Sequence, residues 1–263
     1  MTFPEKVKSY LLTDVADMAL CPATFSKNPS SDFTRNRSLP FDKLMQFCIS
    51  MESNTINQEL LKEFDFSCNT PSASAFCQQR GKLKMDAFTH LLRTFNSHFP
   101  LKIYKEKYTL IACDGSEFNI PRNPADTSTF NPPNKTALQG FNMMHTVSFY
   151  DVLGKRYLDV VVQPGREKDE FRALCELTDR YSYGGSPIIL ADRGFASYNV
   201  FAHASNFAQA MKICITFLRW SANASPLNIE GLIGKYILPV RPDRNYARQH
   251  RIQHPASFAY RFQ

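Results

Sequence analysis

No apolar run in this 263-residue chain reaches the ~18 residues that a membrane-spanning helix needs. The opening MTFPEKVKSYLLTDVADM sets charges among its apolar positions, unlike a secretory leader. The expectation is therefore a cytoplasmic protein without a membrane partner. Seven cysteines are odd in number and contain no CxxC pair, which argues against a disulfide framework and against a zinc ribbon. Most of them are expected to be small buried hydrophobes. There is no glycine-rich phosphate loop and no Ser-His-Asp arrangement. His250 and His254 have metal-ligand spacing, but Pro255 and the poor helical pattern around them argue against zinc.

What is present is an ordinary globular composition, 43% hydrophobic, sufficient for one core or for one core plus a small helical domain. The formal charge of +7 suits a polyanionic partner, because lysines and arginines that neutralise phosphates release counterions. Many basic proteins bind no nucleic acid, so charge alone admits that class without selecting it.

The first hundred residues carry helical periodicity. Ile56, Leu60, Leu61 and Phe64 share one face, and Met85, Phe88, Leu91, Leu92 and Phe95 share another. Pro40 fits the start of a helix through Phe41, Leu44, Met45 and Cys48. Thr70 and Pro71 read as N-cap and first residue of a helix over SASAFCQQRGK. From Tyr108 the period changes. YTLIAC reads as a strand buried on both faces that stops at Asp114-Gly115-Ser116. FNIPRNPADTSTFNPPNKT is too long for a simple turn and reads as a functional or mobile loop. FNMMHTVSFYDV and RYLDVVVQ form a hairpin across Leu153-Gly154-Lys155, with His145 as a core or half-buried strand residue. EKDEFRALCELTDRY is helical with acids in its first turn, and Arg166 and Glu167 in the preceding PGREKDE read as capping residues. PIILAD is a second buried strand, SYNVFAHASNFAQA a helix and MKICITFL a fifth strand. The order predicts an α+β or α/β fold: residues 1–105 helical, then over 106–218 a mixed sheet flanked by helices, matching the ribonuclease-H-like arrangement. Residues 219–263 read as an irregular basic tail.

Two aspartates, Asp114 and Asp192, each follow a buried strand. Functional groups gather beyond strand ends in such sheets, and two converging carboxylates repel unless a cation lies between them. Hard oxygen ligands of this kind suit Mg²⁺, and a pair of such ions serves phosphodiester chemistry. The bland alternative is a turn former or a helix N-cap, the commoner role for any single aspartate in such a place. Arg35 and Arg37 in TRNR, and Gln79 and Arg80 in the Gln78-Gln79-Arg80 cluster, are candidates for phosphate or base-edge contacts, with surface solvation the alternative. Arg193 is placed either to hold a phosphate or to pair with a carboxylate.

ACDGSEFNIPRN and ADRGFASYNVF resemble the two aspartate motifs of DDE transposases of bacterial insertion sequences. The similarity extends to DFTRNRSLPFDKLMQFCISMES, TPSASAFCQQRGKL and GFNMMHTVSFYDVLGKRYLDVVVQPGREKDEFRAL, and covers roughly residues 1–218. The resemblance implies a helical DNA-binding region followed by a ribonuclease-H-like core. It implies Asp114 and Asp192 as the first two members of an acidic triad holding two Mg²⁺ ions, with Mn²⁺ as a substitute. It implies double-stranded DNA as substrate, both element ends and target, and cleavage followed by strand transfer. A homodimer, or pairing with a full-length transposase, and association with the nucleoid go with it.

Family members carry their third acid on a later helix within a Tyr-Arg-Glu-Lys signature, which this sequence does not contain. After Asp192 only Glu230 and Asp243 are acidic. Glu230 lies in PLNIEGLIGKYILP, whose glycines and prolines disfavour a stable helix. The tail after Leu218 fits a truncating frameshift, the alternative being a genuine basic DNA-contacting tail. The expectations are an incomplete catalytic sheet and a catalytically impaired transposase. The rival is a non-catalytic DNA-binding remnant or an inhibitor of the full-length enzyme, and a host nuclease on the same fold is a third reading.

Overall fold

A computed structural model describes residues 1–200, apart from Asn36, Ser53, Ala196, Tyr198 and Asn199, together with the backbone of the strand at Lys212–Ile215. The Arg193 side chain, the stretch read as a helix after Asn199, and the tail from 219 onward lie outside the described part. The chain divides into two compact units, Met1–Pro100 and Leu101–Gln263.

The first unit is helical: α1 (Phe3–Ala19), α2 (Phe41–Ser50), α3 (Ile56–Glu63), α4 (Ala73–Arg80) and α5 (Asp86–Ser97). Their starts follow capping chemistry. Thr2 and Glu5 form a capping box at α1, as do Thr55 and Gln58 at α3. α2 begins immediately after Pro40. At α4 the cap is Ser72, whose hydroxyl accepts from the Ala75 amide at 3.2 Å, and not Thr70. The Thr70 hydroxyl instead donates to the Ser67 carbonyl at 2.6 Å, closing the preceding turn. The apolar faces meet in a core that includes Val15, Leu44, Met45, Phe47, Leu60, Phe76, Ala87 and Leu91.

The second unit is a six-stranded mixed sheet. Its strands are β1 (Tyr108–Ile120), β2 (Phe130–Asn131), β3 (Phe141–Asp151), β4 (Arg156–Pro164), β5 (Ser186–Ala191) and β6 (Lys212–Ile215), with helix α6 (Glu170–Asp179) between β4 and β5. β3 pairs antiparallel with β1, β2 and β4, while β5 runs parallel to β1 and β6 parallel to β5. Apart from the two-residue β2, three antiparallel strands are followed by two parallel ones, with β1 at the centre, which is the ribonuclease-H-like order. Strand alternation gives each face its own set of apolar residues. Ile111, Cys113, Val147, Phe149, Ile189 and Ala191 pack with Ala173, Leu174 and Leu177 of α6. Leu110 and Ile188 pack on the opposite face beside Tyr104, Tyr108, Val152 and Leu153.

Two readings need correction, the end of β1 and the burial of the cysteines. β1 does not stop at Asp114-Gly115-Ser116, because its pairing with β3 carries it on to Ile120↔Asn142. The long polar stretch after β1 is held by Asn142, whose carboxamide bonds the Asn123 amide at 2.6 Å, the Asn123 carbonyl at 2.9 Å and Thr129 Oγ1 at 2.8 Å. The stretch returns to β3 through Gly140, whose φ of +71° favours glycine. Of the cysteines described, only Cys113 is buried, and Cys21, Cys68 and Cys77 are exposed. Cys77 lies on an exposed face of α4, while Cys21 and Cys68 sit in turns outside the helices, so none of the three has a packing role.

Candidate functional site

β1 runs beside β5 only as far as Cys113↔Ala191, and there the two strands part. Asp114 and Asp192 are the next residue on each. Alternation places Cys113 and Ala191 on the α6 face, so the residues that follow continue the opposite face together with Leu110 and Ile188. Asp114 and Asp192 thus each follow the last paired residues of the parallel ladder, and both are exposed. Asp114 reaches this position because the parallel pairing ends there, not because its strand does.

Each carboxylate is anchored by one oxygen. Asp114 Oδ1 accepts from the Gly115 amide at 2.9 Å, and Asp192 Oδ1 accepts from the Gly194 amide at 2.7 Å in the short 3-10 turn Arg193–Phe195. The turn-forming role expected of a strand-end aspartate is therefore present at Asp192. It occupies one oxygen and leaves the exposed carboxylate its second. Beneath the pair lies the Cys113 thiol, which burial pushes well above its usual range, with the negative charges of Asp114, Glu170 and Asp192 raising it further.

From the sequence, Glu170 is one of the acids in the first turn of α6 and His145 a core or half-buried strand residue. The structure adds that they meet: Glu170 Oε1 lies 3.4 Å from His145 Nε2, and His145 is 2% exposed. Both sit against Gly115, on the α6 face. In the same register Glu117 lies opposite His145, and Lys168 donates to Glu117 Oε1 at 2.6 Å, which holds the Glu117 carboxyl below its usual range. The sequence marked only acids in the first turn of α6, and the three-dimensional register reveals the neighbour of Glu170. Among the described residues, no three His, Cys, Asp or Glu side chains form a metal-holding group. The start of α6 is capped by Asp169, which accepts from the Arg172 amide, and not by Arg166 or Glu167.

In the helical unit, Arg35, Arg37 and Gln79 line one hollow, and Arg80 lies outside it with its guanidinium 5.3 Å from the Phe76 ring centre. No described helix is long and apolar enough to cross a membrane.

The strand order and the helix packed on one face define a ribonuclease-H-like α+β fold. Residues 105–253 match the family model for the transposase DDE domain, and the chain belongs to that family. No curated protein matches it.

Proposed function

We propose that the chain acts on DNA as a metal-dependent transposase, with Asp114 and Asp192 holding the metal. The observation that carries this is the register. Two exposed carboxylates each come directly after the last pair, Cys113↔Ala191, of the parallel β1–β5 ladder. Hard anionic oxygens suit Mg²⁺ or Mn²⁺. Such ions, when bound, activate the attacking oxygen and stabilise the leaving oxygen of a phosphodiester. The protein's share is positioning. Asp114 is fixed by its ladder to β3, and Asp192 by the Gly194 amide. Arg193, adjacent to Asp192, would hold a phosphate. The helical unit, with Arg35, Arg37, Gln79 and Arg80, would grip duplex DNA at the element ends. Dimerisation, or pairing with a full-length transposase, would bring two ends together.

Two carboxylates alone make a weak metal site, since most Mg²⁺ ligands then come from water or DNA. Among the described residues no third such side chain joins them in a metal-holding group, which favours a second reading, a chain that occupies DNA without cutting it and so inhibits intact copies. A loss of even ~4 kcal/mol of transition-state stabilisation slows cleavage about a thousandfold.

Mn²⁺ binding followed by electron paramagnetic resonance tests the site independently of turnover. Asp114→Ala and Asp192→Ala should each abolish it, and retention by both variants would overturn the assignment. A nicking assay on DNA carrying the element's ends then separates the readings. Cleavage no higher than the Asp114→Ala control supports the impaired reading. Cleavage above that control and removed by Glu230→Ala would assign the third ligand to Glu230, which lies outside the described residues.

A further inference from the structure

The hollow in the helical unit has a volume of about 440 Å³ and is lined by residues including Ser31, Thr34, Arg35, Arg37, Gln79 and Lys82. That is within the ~300–1,000 Å³ of small-molecule sites. Three of its lining residues are cationic and one, Asp32, is acidic. Asp32 is 6% exposed and already accepts from the Asn28 amide at 2.9 Å. The mouth therefore favours an anion.

Gln79 supplies the second, independent observation. It is 8% exposed, and its Oε1 is buried with no hydrogen-bond partner among the described residues. Buried carboxamide oxygens are nearly always satisfied, so one without a donor marks a place where a ligand can supply it. The terminal torsion of glutamine is soft, so either its acceptor or its donor can turn toward the hollow. A carboxamide presents a donor and an acceptor side by side, matching the edge of a nucleobase and of adenine best. Phe33, at φ +56°, seats its ring edge-on against Phe41 beside Lys82, fixing one wall.

A neutral hydrogen-bonding floor beneath a cationic mouth takes a ligand that is flat and polar at one end and anionic at the other. We propose that this hollow receives one unpaired nucleotide of DNA, base inward and phosphate outward. The proposal rests on the reading that the helical unit binds DNA. A base stacked in duplex offers only its edge in a groove, whereas an extruded nucleotide projects and can enter a concavity.

The test is fluorescence anisotropy of the full chain with three labelled duplexes: one fully paired, one with a single bulged adenosine, and one with a bulged abasic site that has the same flexibility without the base. The bulged adenosine should bind about tenfold more tightly than either of the others, and Gln79→Leu should bring that ratio to about one. Should the leucine variant not fold, the exposed Arg35→Ala Arg37→Ala double variant reads the same point, and must weaken the bulged duplex more than the paired one. Equal affinity for all three duplexes, or a preference that survives Gln79→Leu, overturns the proposal while leaving duplex binding intact. Binding to none of them overturns the DNA reading as well. Competition by dAMP distinguishes the source. Displacement of the bulged duplex only at millimolar dAMP fits a nucleotide presented by DNA, whereas tight dAMP binding with no bulge preference would make this a free-nucleotide site and overturn the placement on DNA.

Discussion

A Cβ added to Gly115 would lie 2.7 Å from Glu170 Oε1 and 3.0 Å from His145 Cε1. The Glu170 carboxylate ends a flexible, partly exposed side chain and can move aside, so the strain falls on the buried His145 ring, and Gly115→Ala should cost about 1 kcal/mol of overpacking and lower the urea midpoint accordingly. The neighbouring Asp114 is exposed, and Asp114→Ala should change stability by no more than about 0.5 kcal/mol while removing metal binding. Comparing the two by urea denaturation and by Mn²⁺ binding separates a packing role from a ligand role one residue apart. Cys113 adds a pH dependence. Its thiol is raised in the folded protein, so the unfolded chain loses that proton first as pH rises. Stability from this group is intact below about pH 8.5, the ordinary cysteine value, and declines above it. Cys113→Ala should flatten the alkaline arm of a thermal-melt pH series, and an unchanged slope would contradict this. Thiol labelling should give the same ordering, with Cys21, Cys68 and Cys77 reacting in the folded state and Cys113 only after unfolding.

Secondary-structure elements show what the sequence makes legible. The buried strands around Ile111 and Ile189 and the helices around Leu44 and Leu91 follow from apolar period alone, since each face must bury its stripe. The α4 cap was misplaced by two residues, because Thr70 and Ser72 both follow polar turns and only the hydrogen-bond geometry chooses between them. The end of β1 was misplaced because an aspartate followed by glycine is the usual signature of a turn. Here the ladder with β3 outweighs that local preference. The proposal of Asp114 and Asp192 as a pair rests on strand order plus resemblance, to which the register adds that both come directly after the last parallel pair; no local pattern could have placed His145 against Glu170. The loop after β1 is held by its β2–β3 pairing, by Asp126 bonding Ser128 and Thr129, and by Asn142, buried at 1% exposure with its amide fully engaged. Asn142→Ala leaves its partners unsatisfied and should cost about 1–3 kcal/mol. Limited proteolysis should then cut within residues 121–140 at a protease level the parent chain withstands, and resistance equal to the parent would show that the loop is held otherwise.

At the scale of the whole molecule, the core of the helical unit is drawn entirely from residues before Pro100. A fragment of residues 1–105 should therefore fold by itself and retain much of the proposed duplex affinity. That affinity should fall with salt at a log-log slope near −0.9 per phosphate neutralised. Binding confined to residues 106–263 would move the DNA surface to the other unit. The sheet is differently constrained, because β1 finds its parallel neighbour only after a long excursion through β3, β4 and α6, with Ile111 paired to Ile189. Chains fold in the order they emerge from the ribosome, and distant pairings wait for their partner to be made. Nascent chains arrested after Gln163 should thus already carry a protease-resistant helical unit while Asp114 still lacks Asp192. During synthesis, the part proposed to hold DNA is finished before the part proposed to cut it exists.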